Sequence, residues 1–225
     1  MSQQDPKNNQ NSNFDLLEGL LYMNRALTYE IFPSLRTVQL KWDAEKIYIF
    51  FFYNGEISED DSESAECVAT QMISNFNNLL LEIEMVRLDD PAPIPKIGIT
   101  AYHRYEASID LHIEQNQVKE LLKNNPDISS KVKILIAIIV GSLGKIYSSL
   151  RSLQVNWSNE NIYLYFYSEG EVSQLEIILS ASVTEYVASC LPNYIVKYEN
   201  TRWDFPKKIP IENTITTYYR KERVL

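Results

Sequence analysis

Six carboxylates crowd the stretch from Glu56 to Glu66: Glu56, Glu59, Asp60, Asp61, Glu63 and Glu66. Such groups can hold a divalent cation, exchange protons as an acid and a base, or present a negative face to a basic partner. The ligand spacing of a calcium loop is absent, so a solvated helix start is the bland reading and a recognition surface for a basic partner the functional one, well ahead of catalysis. The only histidines, His103 and His112, have no partners at the spacing a metal or nucleophile site would need, and His103 reads as a strand-surface residue. Gly141-Ser142-Leu143-Gly144-Lys145 has too few residues between its glycines for a phosphate loop and lies in a helical pattern. Its glycines read as packing residues. No catalytic residue, metal site or cofactor is assigned.

The elements that must position these groups occur twice. Ser34-Leu35-Arg36 through Trp42, Ile47 to Tyr53 and Gly55-Glu56-Ile57-Ser58 recur, 115 residues on, as Ser149-Leu150-Arg151 through Trp157, Ile162 to Tyr167 and Gly170-Glu171-Val172-Ser173. Arg87, Asp89 and Pro91 recur as Arg202, Asp204 and Pro206, and Tyr102, Arg104 and Glu106 as Tyr218, Arg220 and Glu222. A period this long is a domain length rather than a solenoid unit. Two domains are therefore expected, at 13–110 and 128–225, with a linker helix and turn at 111–127 and a disordered polar tail at 1–12.

Within each copy the period alternates between helix and strand. Phe14, Leu17, Leu20 and Leu21 predict a helix to Ile31, stopped by Pro33, and its counterpart, Lys131 to Tyr147, is apolar almost all round and expected to lie buried between the copies. Val38, Leu40 and Trp42 alternate with polar residues as a strand, and Ile47 to Tyr53 is apolar on both faces, as in a covered sheet interior. Ser58 and the acids after it predict a second helix to Phe76. Leu81, Ile83 and Met85, then Ile99 to Tyr105, supply the last two strands. The fold class read from this order is α+β: two copies of an α-β-β-α-β-β domain, each an antiparallel-rich, meandering sheet packed with helices. Trp42 and Trp157 read as core, and the pairs Arg87–Asp89 and Arg202–Asp204 as structural clamps on the Pro-rich loops that follow.

Composition narrows the function. The net charge is −9, but residues 1–115 hold 8 bases and 19 acids (8 − 19 = −11), whereas residues 116–225 hold 13 bases and 11 acids (13 − 11 = +2). Two copies of one fold with opposite electrostatics do not present the same outer surface. No apolar run approaches a membrane span, Cys67 and Cys190 occupy non-equivalent positions and read as buried thiols, and a reducing, cytoplasmic setting follows. Neither a nucleic acid nor a membrane is expected as partner.

The Leu35-Arg36 and Trp42 block, the run Gly55 to Glu63, Arg87, Asp89 to Pro95, and Tyr102 to Glu106 resemble a family of small bacterial α+β proteins associated with immunity in contact-dependent growth inhibition. The resemblance covers most of both copies. It implies a non-catalytic protein that binds and neutralises a toxin domain. An acidic face suits a basic, nuclease-type toxin, whose groove must attract phosphates. The expected contacts are Glu56, Glu59, Asp60, Asp61, Glu63 and Glu66; in the second copy Gln174, Leu175 and Glu176 replace Glu59, Asp60 and Asp61. An intracellular scaffold or oligomerisation module and, further off, a Mg-dependent hydrolase using the carboxylates are the alternatives, and the oligomeric state is left open.

Overall fold

The computed structural model describes residues 11–43, 45–76, 79–106, 112–211 and 213–221. The first half contains α1 (Asn11–Leu27), β1 (Leu35–Trp42), β2 (Lys46–Tyr53), α2 (Glu59–Ile73), β3 (Leu80–Arg87) and β4 (Ile99–His103). After α3 (His112–Asn124) the order repeats as α4 (Ser130–Ser142), β5 (Leu150–Trp157), β6 (Asn161–Ser168), α5 (Gln174–Cys190), β7 (Ile195–Arg202) and β8 (Ile215–Tyr219). Most of the tail and part of the linker lie outside the described residues, as does Glu222; α3 fills most of the segment expected to hold a linker helix and turn.

Each half holds one four-stranded sheet, ordered β3-β2-β1-β4 and β7-β6-β5-β8. Only the β1–β2 and β5–β6 hairpins follow the meander expected from the sequence. β2 pairs with β3 in parallel, residue for residue from Lys46↔Leu80 to Tyr53↔Arg87, because α2 carries the chain back between them. A parallel neighbour needs such a crossover. In β2, Ile47, Ile49 and Phe51 are buried beneath the helices, while Tyr48 and Phe50 stay half-buried on the opposite face, so that face is covered only in part.

The helices end earlier than their apolar pattern predicts. α1 stops at Leu27 and α4 at Ser142, and the residues after each turn out to pair with the other half. Tyr29 (φ 73°) and Gly144 (φ 67°) occupy equivalent left-handed positions. Ile31 then bridges Arg220, and Ile146 bridges Arg104. The Lys221 amide donates to the Ile31 carbonyl at 2.8 Å, and the Tyr105 amide to that of Ile146 at 2.7 Å. These contacts are reciprocal, so the halves pack about an approximate two-fold axis, as two subunits of a symmetric dimer would.

One apolar cluster runs through both halves, joining Leu20, Met23 and Val38 to Ile136, Ile138, Leu153 and Leu164. α4 lies within it, with Ile134, Ile136, Ala137 and Ile138 fully buried. Each such isoleucine stabilises the fold by roughly 1.5–3 kcal/mol relative to exposure. Gly141 is required at the α4–α5 contact, since a Cβ there would sit 2.8 Å from the Tyr186 ring. Lys221 adds a polar tie across the halves, 2.8 Å from both Glu30 Oε2 and Ser64 Oγ. Among the described residues no helix is long and apolar enough to cross a membrane.

Candidate partner-binding surface

α2 begins where the apolar strand β2 turns at Gly55 (φ 83°). Ser58 caps it: the Ser58 hydroxyl accepts from the Asp61 amide at 3.1 Å, and Asp61 Oδ2 accepts in return from the Ser58 amide at 3.0 Å. Asp61 Oδ1 also accepts from the Ser34 hydroxyl at 2.6 Å. The side chain is 2 % exposed. Asp61 is therefore withdrawn from the contact surface expected of it and belongs to the frame. Its partner in the second half, Glu176, makes the same capping box with Ser173 and accepts from Ser149.

The remaining acids differ from Asp61 in the way that matters. Glu56, Glu59, Asp60, Glu63 and Glu66 are all exposed. At the equivalents of the last four the second half carries Gln174, Leu175, Ile178 and Ala181. Within the helix the acid shared by both copies is the one its start needs, and the four acids that differ are exposed; Glu56, in the turn before the helix, is exposed and recurs as Glu171. Glu59 and Asp60 also complement the positive end of the helix. Glu56 lies 3.9 Å from Arg87, a contact too exposed to count for stability. Glu82 and Glu84 on β3 are exposed as well and extend the negative surface of this half.

Replacing Asp61 by asparagine is expected to cost about 1–2 kcal/mol, because the cap and the Ser34 contact both weaken. Glu63→Gln should stay within about 0.5 kcal/mol, as expected of an exposed side chain. Urea midpoints of the two variants would separate frame from surface, and equal losses would put Asp61 back among the surface acids.

The expected loop clamps divide into two parts. Arg87 pairs with Asp89 at 2.9 Å and Arg202 with Asp204 at 2.8 Å, all at the surface. Asp89 and Asp204 accept from the amides of Gly55 and Gly170, at 2.6 Å and 2.7 Å, and so tie each Pro-rich loop to the turn before α2 or α5. Carbonyl clamping falls instead to Arg36 and Arg151, both 1 % exposed. Arg36 donates to the carbonyls of Leu88 (2.5 Å) and Ala92 (3.0 Å) and grips Glu106 bidentately at 2.7 Å and 2.6 Å. Arg151 donates to the carbonyls of Trp203 and Lys207 and lies over the Phe205 ring. Burial pushes the Glu106 carboxyl up, but Arg36 and Arg104 outweigh it and hold it below the ordinary value. The signal for this clamp was the repetition of Leu35-Arg36 as Leu150-Arg151. Trp42 and Trp157 are partly buried against the core, and the Trp42 ring passes over Gly19.

His103 is 2 % exposed, not a surface residue as the strand pattern suggested, because β4 ends against the second half. Its carbonyl accepts from the Gly144 amide at 2.9 Å, its Nε2 has no hydrogen-bond partner among the described residues, and the residue lines a void of about 20 Å³. Burial lowers its pKa to about 4; Glu106 pulls it up, and Arg36 and Arg104 push it down. In the unfolded chain the ring titrates near 6.5, so unfolded molecules bind the proton first. Stability is therefore full above about pH 6.5 and falls toward pH 4, by up to about 3 kcal/mol. Glu106 adds its own loss only below its ordinary value of 4.5. Denaturation midpoints against pH should flatten between these limits in His103→Gln; an unchanged slope would refute the assignment.

Cys67 and Cys190 are free thiols, and Cys67 is exposed on α2 rather than buried. His112 begins α3, and its side chain lies outside the described residues. Among the described residues no group of three or more His, Cys, Asp or Glu is placed to hold a metal ion.

A duplicated α+β frame with its differing groups on an exposed helix face defines a two-copy protein whose halves share a core and differ in surface. The chain belongs to the MafI2 immunity protein family, which it matches over residues 18–106 and again over 131–222, once in each half. Comparison with curated proteins yields no match. The resemblance read from the sequence therefore holds for an immunity protein in duplicate; the family is MafI2, and the match does not name contact-dependent growth inhibition.

Proposed function

We propose that the chain binds a cognate toxin domain in the cytoplasm and neutralises it without catalysis, docking through the acidic face formed by Glu56, Glu59, Asp60, Glu63 and Glu66. The observation that carries this reading is that Glu59, Asp60, Glu63 and Glu66 are exposed on the first half of a MafI2 immunity protein, while Gln174, Leu175, Ile178 and Ala181 stand at their places in the second. A toxin that acts on nucleic acid presents a basic groove, and an acidic cover both steers encounter and opposes that charge. Delivery of the toxin by contact between neighbouring cells forms part of this reading.

Expressing the reading frame next to this gene, with and without the chain, tests it. Growth arrest by the neighbour, relief by the chain and co-purification of the two are expected. A harmless neighbour, or relief without a complex, would overturn it.

A further inference from the structure

The two halves offer equivalent sheet edges that are charged in different ways. β3 and β7 each end their sheet, run eight residues without proline, and have no strand on their outer side among the described residues. Midway along β3 the outward-facing charges are Glu82, which pairs with Lys46 of β2, and Glu84. If a second β3 lay antiparallel to it about Ile83, Glu82 would face Glu84 of the other copy, and like charges directly opposite destabilise a pair. On β7 the equivalent residues are Lys197 and Glu199. Antiparallel pairing about Tyr198 sets Lys197 opposite Glu199 of the second copy, twice per pair of molecules. The edge of the second half is therefore complementary to itself, and that of the first half is not.

The neighbouring helix repeats the contrast. Ser180 Oγ donates to Asn200 at 2.8 Å, which fixes one flank of α5 along β7. The other flank meets α4 through Tyr186. Ile177 and Ala181 lie on the β7 flank, one turn apart, with Ile178 beside them facing solvent. Ile177, Ile178 and Tyr198 are 36 %, 55 % and 39 % exposed. The equivalents of Ile177, Ile178 and Ala181 on α2 are Ser62, Glu63 and Glu66. Native edge strands are kept apart by charge and by polar neighbours. The first half has like charges and polar neighbours, whereas the charges of the second half are of opposite sign and its helix neighbours are apolar.

We propose that two copies of this chain associate about a two-fold axis through the second half, with β7 antiparallel to β7 of the second copy. The two four-stranded sheets join into one of eight, and Ile177, Ile178 and Tyr198 of each copy cover their counterparts. The acidic α2 face of each first half stays free, so the dimer presents it twice. This surface is independent of the toxin reading and is measured on the chain alone.

Sedimentation equilibrium of the full chain should give twice its 26.1 kDa mass. Lys197→Glu should weaken association by about tenfold, since it puts like charges opposite at two places in the dimer. Glu199→Lys should do the same, and the double exchange K197E/E199K should restore the dimer, because the pair is again complementary. Ile178→Glu should also dissociate it, with circular dichroism confirming that each variant is folded. A monomeric wild-type chain, or a dimer insensitive to both single exchanges, overturns the proposal, as does a double exchange that fails to recover association.

Discussion

Replacing Arg36 by alanine is expected to lower stability by about 3–5 kcal/mol, among the largest effects a single substitution in this chain can have. The side chain is 1 % exposed and ends four hydrogen bonds, two on Glu106 and two on the carbonyls of Leu88 and Ala92. Without it, a nearly buried carboxylate keeps Arg104 as its ion-pair partner among the described residues, and two carbonyls of the Pro-rich loop lose the Arg36 donor. Arg36→Lys should recover only part of the loss, because an ammonium cannot reproduce the planar fork. Replacing both partners by apolar residues, as in R36M/E106L, should cost less than R36A, since the unpaired charge goes with its partner. Guanidinium denaturation reads all three variants. A loss below about 1 kcal/mol for R36A would mean that water reaches the site and Arg36 is no clamp.

The second large effect concerns binding. Reversing Glu59, Asp60, Glu63 and Glu66 to lysine together should slow association with the toxin by about 10- to 1000-fold at low salt, the range over which charge steers encounter. The wild-type rate should fall steeply with ionic strength, and the reversed variant should lose that dependence. Reversing the four should also destabilise α2 modestly, because Glu59 and Asp60 sit in its first turn, so the folded fraction must be checked first. Stopped-flow mixing at two salt concentrations decides the matter. Equal rates for both proteins at both concentrations would remove the acidic face from the interface.

Separating frame from surface within one acidic cluster needed both copies and their burial. Spacing alone treats Glu59, Asp60, Asp61 and Glu63 as one patch. Among these four, comparison of the halves leaves an acid at one place, Asp61 and Glu176, and the structure shows why: each closes a capping box and receives a serine hydroxyl from the turn that leads into the first strand of its half. The grip of Arg36 on the carbonyls of the Pro-rich loop was hidden for a related reason. Arg87 and Asp89 are two residues apart and easily paired by eye, whereas Arg36 reaches Leu88, Ala92 and Glu106 across 52 to 70 positions. Partners at such separations leave no local spacing to read.

By itself the sequence determined that one unit occurs twice, which segments are helices and strands, and that the copies differ in charge just past Gly55. Those properties are local: hydrophobic period, turn residues and charge are written along the chain, and repetition doubles the signal. Tertiary structure alone decided the parallel place of β3, the early ends of α1 and α4, and the burial of His103. Each depends on what lies opposite in space. Ile31 and Ile146 leave their helices because the other half offers them a strand end, and His103 is covered because Gly144 of the second half packs onto it. The candidate surface follows the same division. Its acids were legible as residues, but which of them face solvent was settled by the packing of α2 against α1 and β3.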